Sequence, residues 1–102
     1  MSLFHYTDKS GYDAIRSQSV WKFKAGQPPG DHLFGAYFTT LGRGTRNLAQ
    51  RLGIPKAKIE YCFEFEDVGD LMPLPGGRGA YILYSPDDYE VEKPRQLYHG
   101  AT

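Results

Sequence analysis

Ile59-Glu60-Tyr61-Cys62-Phe63-Glu64-Phe65-Glu66-Asp67 is the stretch that decides the fold class. Ile59, Tyr61, Phe63 and Phe65 recur at every second residue, and Glu60, Cys62, Glu64 and Glu66 fill the positions between them. Strand side chains leave on alternate faces, so the pattern predicts a strand over 59–67 with an aromatic face towards a core and an acidic face away from it. Working outward, further stretches read as extended chain. Ser2 to Thr7 carries Leu3, Phe4 and Tyr6, and Val20 to Phe23 alternates apolar and basic residues. Leu33 to Thr40 is entered through Gly35, Ala80 to Tyr84 runs into the turn sequence Ser85-Pro86-Asp87-Asp88, and Tyr89 to Val91 reads as a last strand.

Two short helices interrupt this pattern. Asp8 or Ser10 can cap the first by accepting a backbone hydrogen bond, and it runs to about Gln18 with Tyr12, Ile15 and Ser19 on one face. Thr45 can cap the second, whose apolar stripe is Leu48, Ala49 and Leu52. Gly53 supplies its C-terminal residue and Pro55 blocks continuation. Ala25 to Gly30 and Gly69 to Gly79 are rich in glycine and proline and read as loops. Strands outnumber helices without a regular β-α-β alternation. The expected class is α+β, a mostly antiparallel or mixed sheet with two short helices, in a single domain spanning 1–102.

Composition excludes several functions. Twelve basic residues balance twelve acidic ones. The chain as a whole therefore lacks the electrostatic footprint of a nucleic-acid binder, and nucleic acid is not an expected partner. A local basic pocket for a phosphate stays open. The single cysteine, Cys62, rules out an internal disulfide and a cysteine cluster for zinc. No basic-then-apolar leader opens the chain and no run is apolar enough to span a bilayer, so no membrane partner is expected. The expected location is the cytoplasm, or delivery as an effector without a classical signal peptide.

Two strings carry candidate chemistry. Phe4-His5-Tyr6-Thr7 lies on the first strand, followed by Gly11-Tyr12 on the first helix. Gly35-Ala36-Tyr37-Phe38-Thr39-Thr40-Leu41 follows Gly30-Asp31. In this order they resemble the small ADP-ribosyltransferases named for a His-Tyr-Asp signature. That family has a His-Tyr-Thr string, a Gly-Tyr helix, a Gly-Asp segment, a Gly-x-Tyr-Phe/Leu-Thr strand and then a strand with an acidic residue. The resemblance covers most of residues 3 to 71.

It implies an ADP-ribosyltransferase-like split or mixed sheet and NAD as substrate. The bond between nicotinamide and ribose breaks through an oxocarbenium-like transition state, and ADP-ribose passes to a macromolecular acceptor, as in a toxin or effector. By the resemblance, His5 binds the ribose and fixes its orientation. Tyr37 stacks on nicotinamide. A carboxylate stabilises the developing positive charge. Tyr6, Thr7, Tyr12, Phe38 and Thr39 line the NAD site. The family's acidic run matches Phe63-Glu64-Phe65-Glu66-Asp67-Val68, which places Glu66 where the family has aspartate and makes Glu64 the next candidate. Ala80-Tyr81-Ile82-Leu83-Tyr84-Ser85-Pro86 also looks like the strand on which larger poly-ADP-ribosyltransferases carry their glutamate, but it has Ala80 at that position. An NAD glycohydrolase on the same scaffold and a non-catalytic protein-binding β-domain are the alternatives.

Overall fold

The computed structural model describes residues 1–27, 33–74 and 81–102. Its elements in chain order are β1 (Ser2–Thr7), α1 (Lys9–Arg16), β2 (Trp21–Phe23), β3 (Ala36–Thr39), α2 (Leu48–Leu52), a 3-10 turn (Lys56–Ile59), β4 (Tyr61–Glu66), β5 (Met72–Pro73), β6 (Ile82–Ser85), β7 (Tyr89–Val91), a second 3-10 turn (Lys93–Arg95) and β8 (Gln96–Ala101). Six strands form one antiparallel sheet in the order β5-β6-β3-β1-β4-β8, and β2 pairs with β7 in a separate two-stranded ribbon. The class is α+β.

The sheet is covered on both faces. On one, Leu3, Ala36, Phe38, Phe63 and Phe65 meet Trp21, Phe23, Tyr89 and Val91 of the ribbon, with Tyr12 and Ile15 of α1 packed against them. On the other, Phe4, Tyr6 and Cys62 meet Leu48 of α2, with Leu41, Leu52, Ile59 and Tyr98 at the margin. Removing apolar side chains from water on both faces is what makes a three-layer arrangement stable at this length.

This corrects the reading of the acidic face. Cys62, which the alternation put on the face away from the core, is fully buried, because α2 and the first 3-10 turn cover that side of β4. Ile59 belongs to that second core and to the turn preceding the strand. The strand is interior, with β1 on one side and β8 on the other. Two strands were not expected. Met72–Pro73 is too short to show a period, and Gln96–Ala101 carries a register shift opposite Glu64 and Phe65 that leaves Leu97 exposed.

Local signals hold where the chemistry is local. Asp8 caps α1, its Oδ1 accepting from the Gly11 amide at 2.9 Å, while Lys58 donates to Oδ2 at 2.7 Å. Thr45 does not cap α2. Asn47 occupies that position in the left-handed region at φ 56°, without a side-chain cap. Gly53 ends the helix at φ 71°, as its lack of Cβ allows. Gly35 is required by proximity: a Cβ there would lie 2.6 Å from the Ser85 carbonyl oxygen.

Candidate functional site

His5 and Tyr37 lie on the two neighbouring central strands, β1 and β3. The β1–β3 ladder consists of one pair, Phe4 opposite Thr39, whereas β1 pairs with β4 along its whole length. Beyond Phe4 and Thr39 the join is made by a side chain. Nδ1–H of His5 donates to the Tyr37 carbonyl oxygen at 3.1 Å.

The two side chains do not converge. His5 is opposite Phe63, and its ring sits 4.7 Å from that of Phe23 and 5.7 Å from that of Phe38, on the ribbon side of the sheet. Tyr37 lies between Ala36 and Phe38, both in that same core, so strand alternation sends its ring to the opposite face. There it stacks on Tyr84 at 5.9 Å, and its hydroxyl donates to the Leu33 carbonyl. Burial raises the Tyr37 phenol above its ordinary value, with Tyr84 adding to the effect.

The electrostatics of His5 follow from this placement. Burial lowers its pKa below the ordinary 6.5, and the bond to the Tyr37 carbonyl opposes that shift without reversing it. The ring is therefore neutral at pH 7. A carbonyl can only accept, so Nδ1 carries the proton and Nε2 presents a lone pair. Among the described residues the hydrogen bond the ring makes is the one to Tyr37. That leaves Nε2 as an acceptor.

The other expected site residues are largely engaged in packing. Tyr6 is buried in the second core and donates to the Leu41 carbonyl at 2.8 Å, and burial raises its pKa. Phe38 is a core ring. Thr39 is buried, its hydroxyl donating to the Tyr81 carbonyl at 2.7 Å and accepting from the Leu41 amide at 3.1 Å. Thr7 is buried against Gly11, where a Cβ would meet its hydroxyl at 2.1 Å. The Gly-Tyr string on α1 thus has a packing cause. Tyr12 stacks on Tyr61 at 4.6 Å and its hydroxyl meets His99 Nδ1 at 2.8 Å.

Glu64 and Glu66 pair with Phe4 and Ser2 across β1. Alternation puts both on the face opposite Phe63 and Phe65, and hence opposite the His5 ring. Glu64 is half-buried and Glu66 exposed. The structure therefore brings His5 to the Tyr37 backbone and brings neither glutamate to His5. Gly30-Asp31, His32 and Ala80 lie outside the described residues. Among the described residues no helix is long and apolar enough to cross a membrane, and no group of three or more His, Cys, Asp or Glu gathers to hold a metal ion.

Two contacts were not legible beforehand. The Tyr12–His99 pair joins α1 to an edge strand whose place in the sheet the sequence pattern does not announce. The Arg43 guanidinium lies 3.9 Å from the centre of the Tyr98 ring, a contact that needed β8 to be placed. No family model, characterised protein or solved structure matches this chain.

Proposed function

We propose that the chain is an NAD-dependent mono-ADP-ribosyltransferase in which His5 orients the ribose. The observation supporting this is the state of the His5 ring. Its tautomer is held by the Tyr37 carbonyl, its burial keeps it neutral, and Nε2 is left as an acceptor. Such a group can take a hydrogen bond from a ribose hydroxyl and fix the sugar before the bond to nicotinamide breaks. The electron pair of that bond leaves with nicotinamide, and an acceptor nucleophile attacks the cationic ribose carbon and loses its proton. Tyr37 then acts as a positioning residue through its carbonyl, and the order of the two strings along the chain supplies the rest of the reading.

The test is free nicotinamide after incubation of the purified protein with NAD. Release that His5→Ala abolishes, with a labelled acceptor band, supports the transferase. Release without a labelled band makes the chain an NAD glycohydrolase. A second reading, a non-catalytic protein-binding β-domain, has its own support. Tyr6, Phe38 and Thr39 are used in packing, and the His5 and Tyr37 rings face opposite ways. Absence of nicotinamide release decides for it.

A further inference from the structure

The equality of positive and negative charge over the whole chain conceals a strong separation along it. Residues 33–59 contain Arg43, Arg46, Arg51, Lys56 and Lys58 and no Asp or Glu. Residues 60–92 contain nine acidic side chains, and Arg78 is their only basic one. The fold turns this only in part into a difference between layers, because Glu64 and Glu66 stay on the face opposite Phe63 and Phe65, where α2 packs. The loop after β3, α2 and the first 3-10 turn all pack on the face of the sheet that carries Phe4, Tyr6 and Cys62. The acidic Glu90 and Glu92 belong to the ribbon strand β7 and its end, which cover the other face.

All five basic residues are exposed. Lys58 is paired with Asp8. No salt bridge engages Arg43, Arg46, Arg51 or Lys56 among the described residues. Two of these cations stand over tyrosine rings that are themselves part-exposed: Arg43 at 3.9 Å from Tyr98, and Arg51 at 5.4 Å from Tyr81. Tyr98 is on edge strand β8, and Tyr81 directly precedes β6. The sheet order puts four inter-strand spacings between them, on the order of 19 Å. That is too wide for a single pyrophosphate to meet both ends.

We propose that this α2 face binds a single-stranded nucleic acid, with Arg43, Arg46, Arg51 and Lys56 on its phosphates and Tyr98 and Tyr81 beside its bases. Uncompensated cations interleaved with aromatic rings are what a single strand requires, since the backbone needs charge and each base offers a flat face. An acidic protein would use the charge and leave the rings without a role. The assignment stands independently of NAD cleavage.

The test is fluorescence anisotropy with labelled oligouridine and oligothymidine of about 12 nucleotides, over about 50 to 200 mM salt. Four phosphate contacts on a single strand predict a log–log salt slope of about −2.8, roughly a fifty-fold loss of affinity across that range. Arg46→Gln with Lys56→Gln, which disturbs neither ring contact, is expected to halve the slope to about −1.4. Lys9→Gln, on a helix packed against the other face, is expected to leave it unchanged. Circular dichroism confirms folding of each variant. Binding of either strand with these slopes supports the proposal. Absence of binding, a slope unmoved by the double substitution, or preference for duplex overturns it. So does competition by polyglutamate equal to that by the oligonucleotide, because the face would then be a site for acidic protein.

Discussion

The imidazole of His5 is bonded to the backbone of Tyr37 while the two side chains occupy opposite faces of the sheet. Position 37 thus supplies a carbonyl to the ribbon side, which any residue could provide, and a ring to the other. Tyr37→Phe is expected to leave nicotinamide release within about twofold, because the bond to His5 is made by the backbone. Tyr37→Ala removes the ring from Tyr84 and is expected to lower the melting temperature first, with activity following stability. Measured turnover at equal folded fraction separates the two.

His5 also predicts a pH dependence. Its folded pKa is below 6.5, so between that value and 6.5 the unfolded chain binds more protons than the folded one. The stabilising contribution is complete above 6.5 and is lost as pH falls through this window towards the folded pKa. Denaturant midpoints of the native protein and His5→Gln, compared between pH 7.5 and pH 5, are expected to show a smaller acid loss in the variant. An equal loss in both removes the account of the ring as buried and neutral.

Glu64 and Glu66 serve as a test of which face holds the site. Their carboxylates are across the sheet from His5 Nε2, so Glu64→Gln and Glu66→Gln are expected to keep nicotinamide release within about twofold, distance and solvent weakening any direct effect. A loss of two orders of magnitude in either would place the reaction on the Tyr37 side instead.

Cys62 is fully buried, and burial raises its thiol above the ordinary value, with the contact to Thr102 opposing. The reactive thiolate is disfavoured twice, by charge and by access. Iodoacetamide labelling at pH 8 is expected to follow global unfolding, at least a hundredfold slower than labelling of the denatured chain. Fast labelling of the folded protein would mean that the second core opens locally.

Gly35→Ala is expected to destabilise by about 1–3 kcal/mol, the usual cost of forcing volume into a packed site. The obstruction is backbone, the Ser85 carbonyl oxygen at 2.6 Å, and cannot rotate away. Urea midpoints check this. An unchanged midpoint would show that β3 and β6 can separate freely.

The sequence was legible where the determinants are short-range. The alternation in 59–67 gave the strand, Asp8 its cap, and Gly53 the end of α2. What escaped depends on what lies across the sheet. Cys62 fell on the face away from the core because nothing near it in the chain announces that Leu48 and Tyr98 cover it. Tyr37 and His5 could be placed on neighbouring strands from their strings, but their relative facing is a matter of register. A shift of one residue reverses every side chain, and the sequence contains no turn that joins β1 directly to β3.

β4 takes its two neighbours from opposite ends of the chain. Glu64 lies opposite Phe4 on one side and Tyr98 on the other. The β1 partner is already made when β4 leaves the ribosome, whereas the β8 partner is still to come. The outer side of β4 is closed last, by edge strand β8, and such distant pairing places folding in the millisecond-to-second range rather than the microsecond one. Until then β4 presents an aromatic strand with an open edge, the state in which a chain of this kind is most exposed to association with its copies.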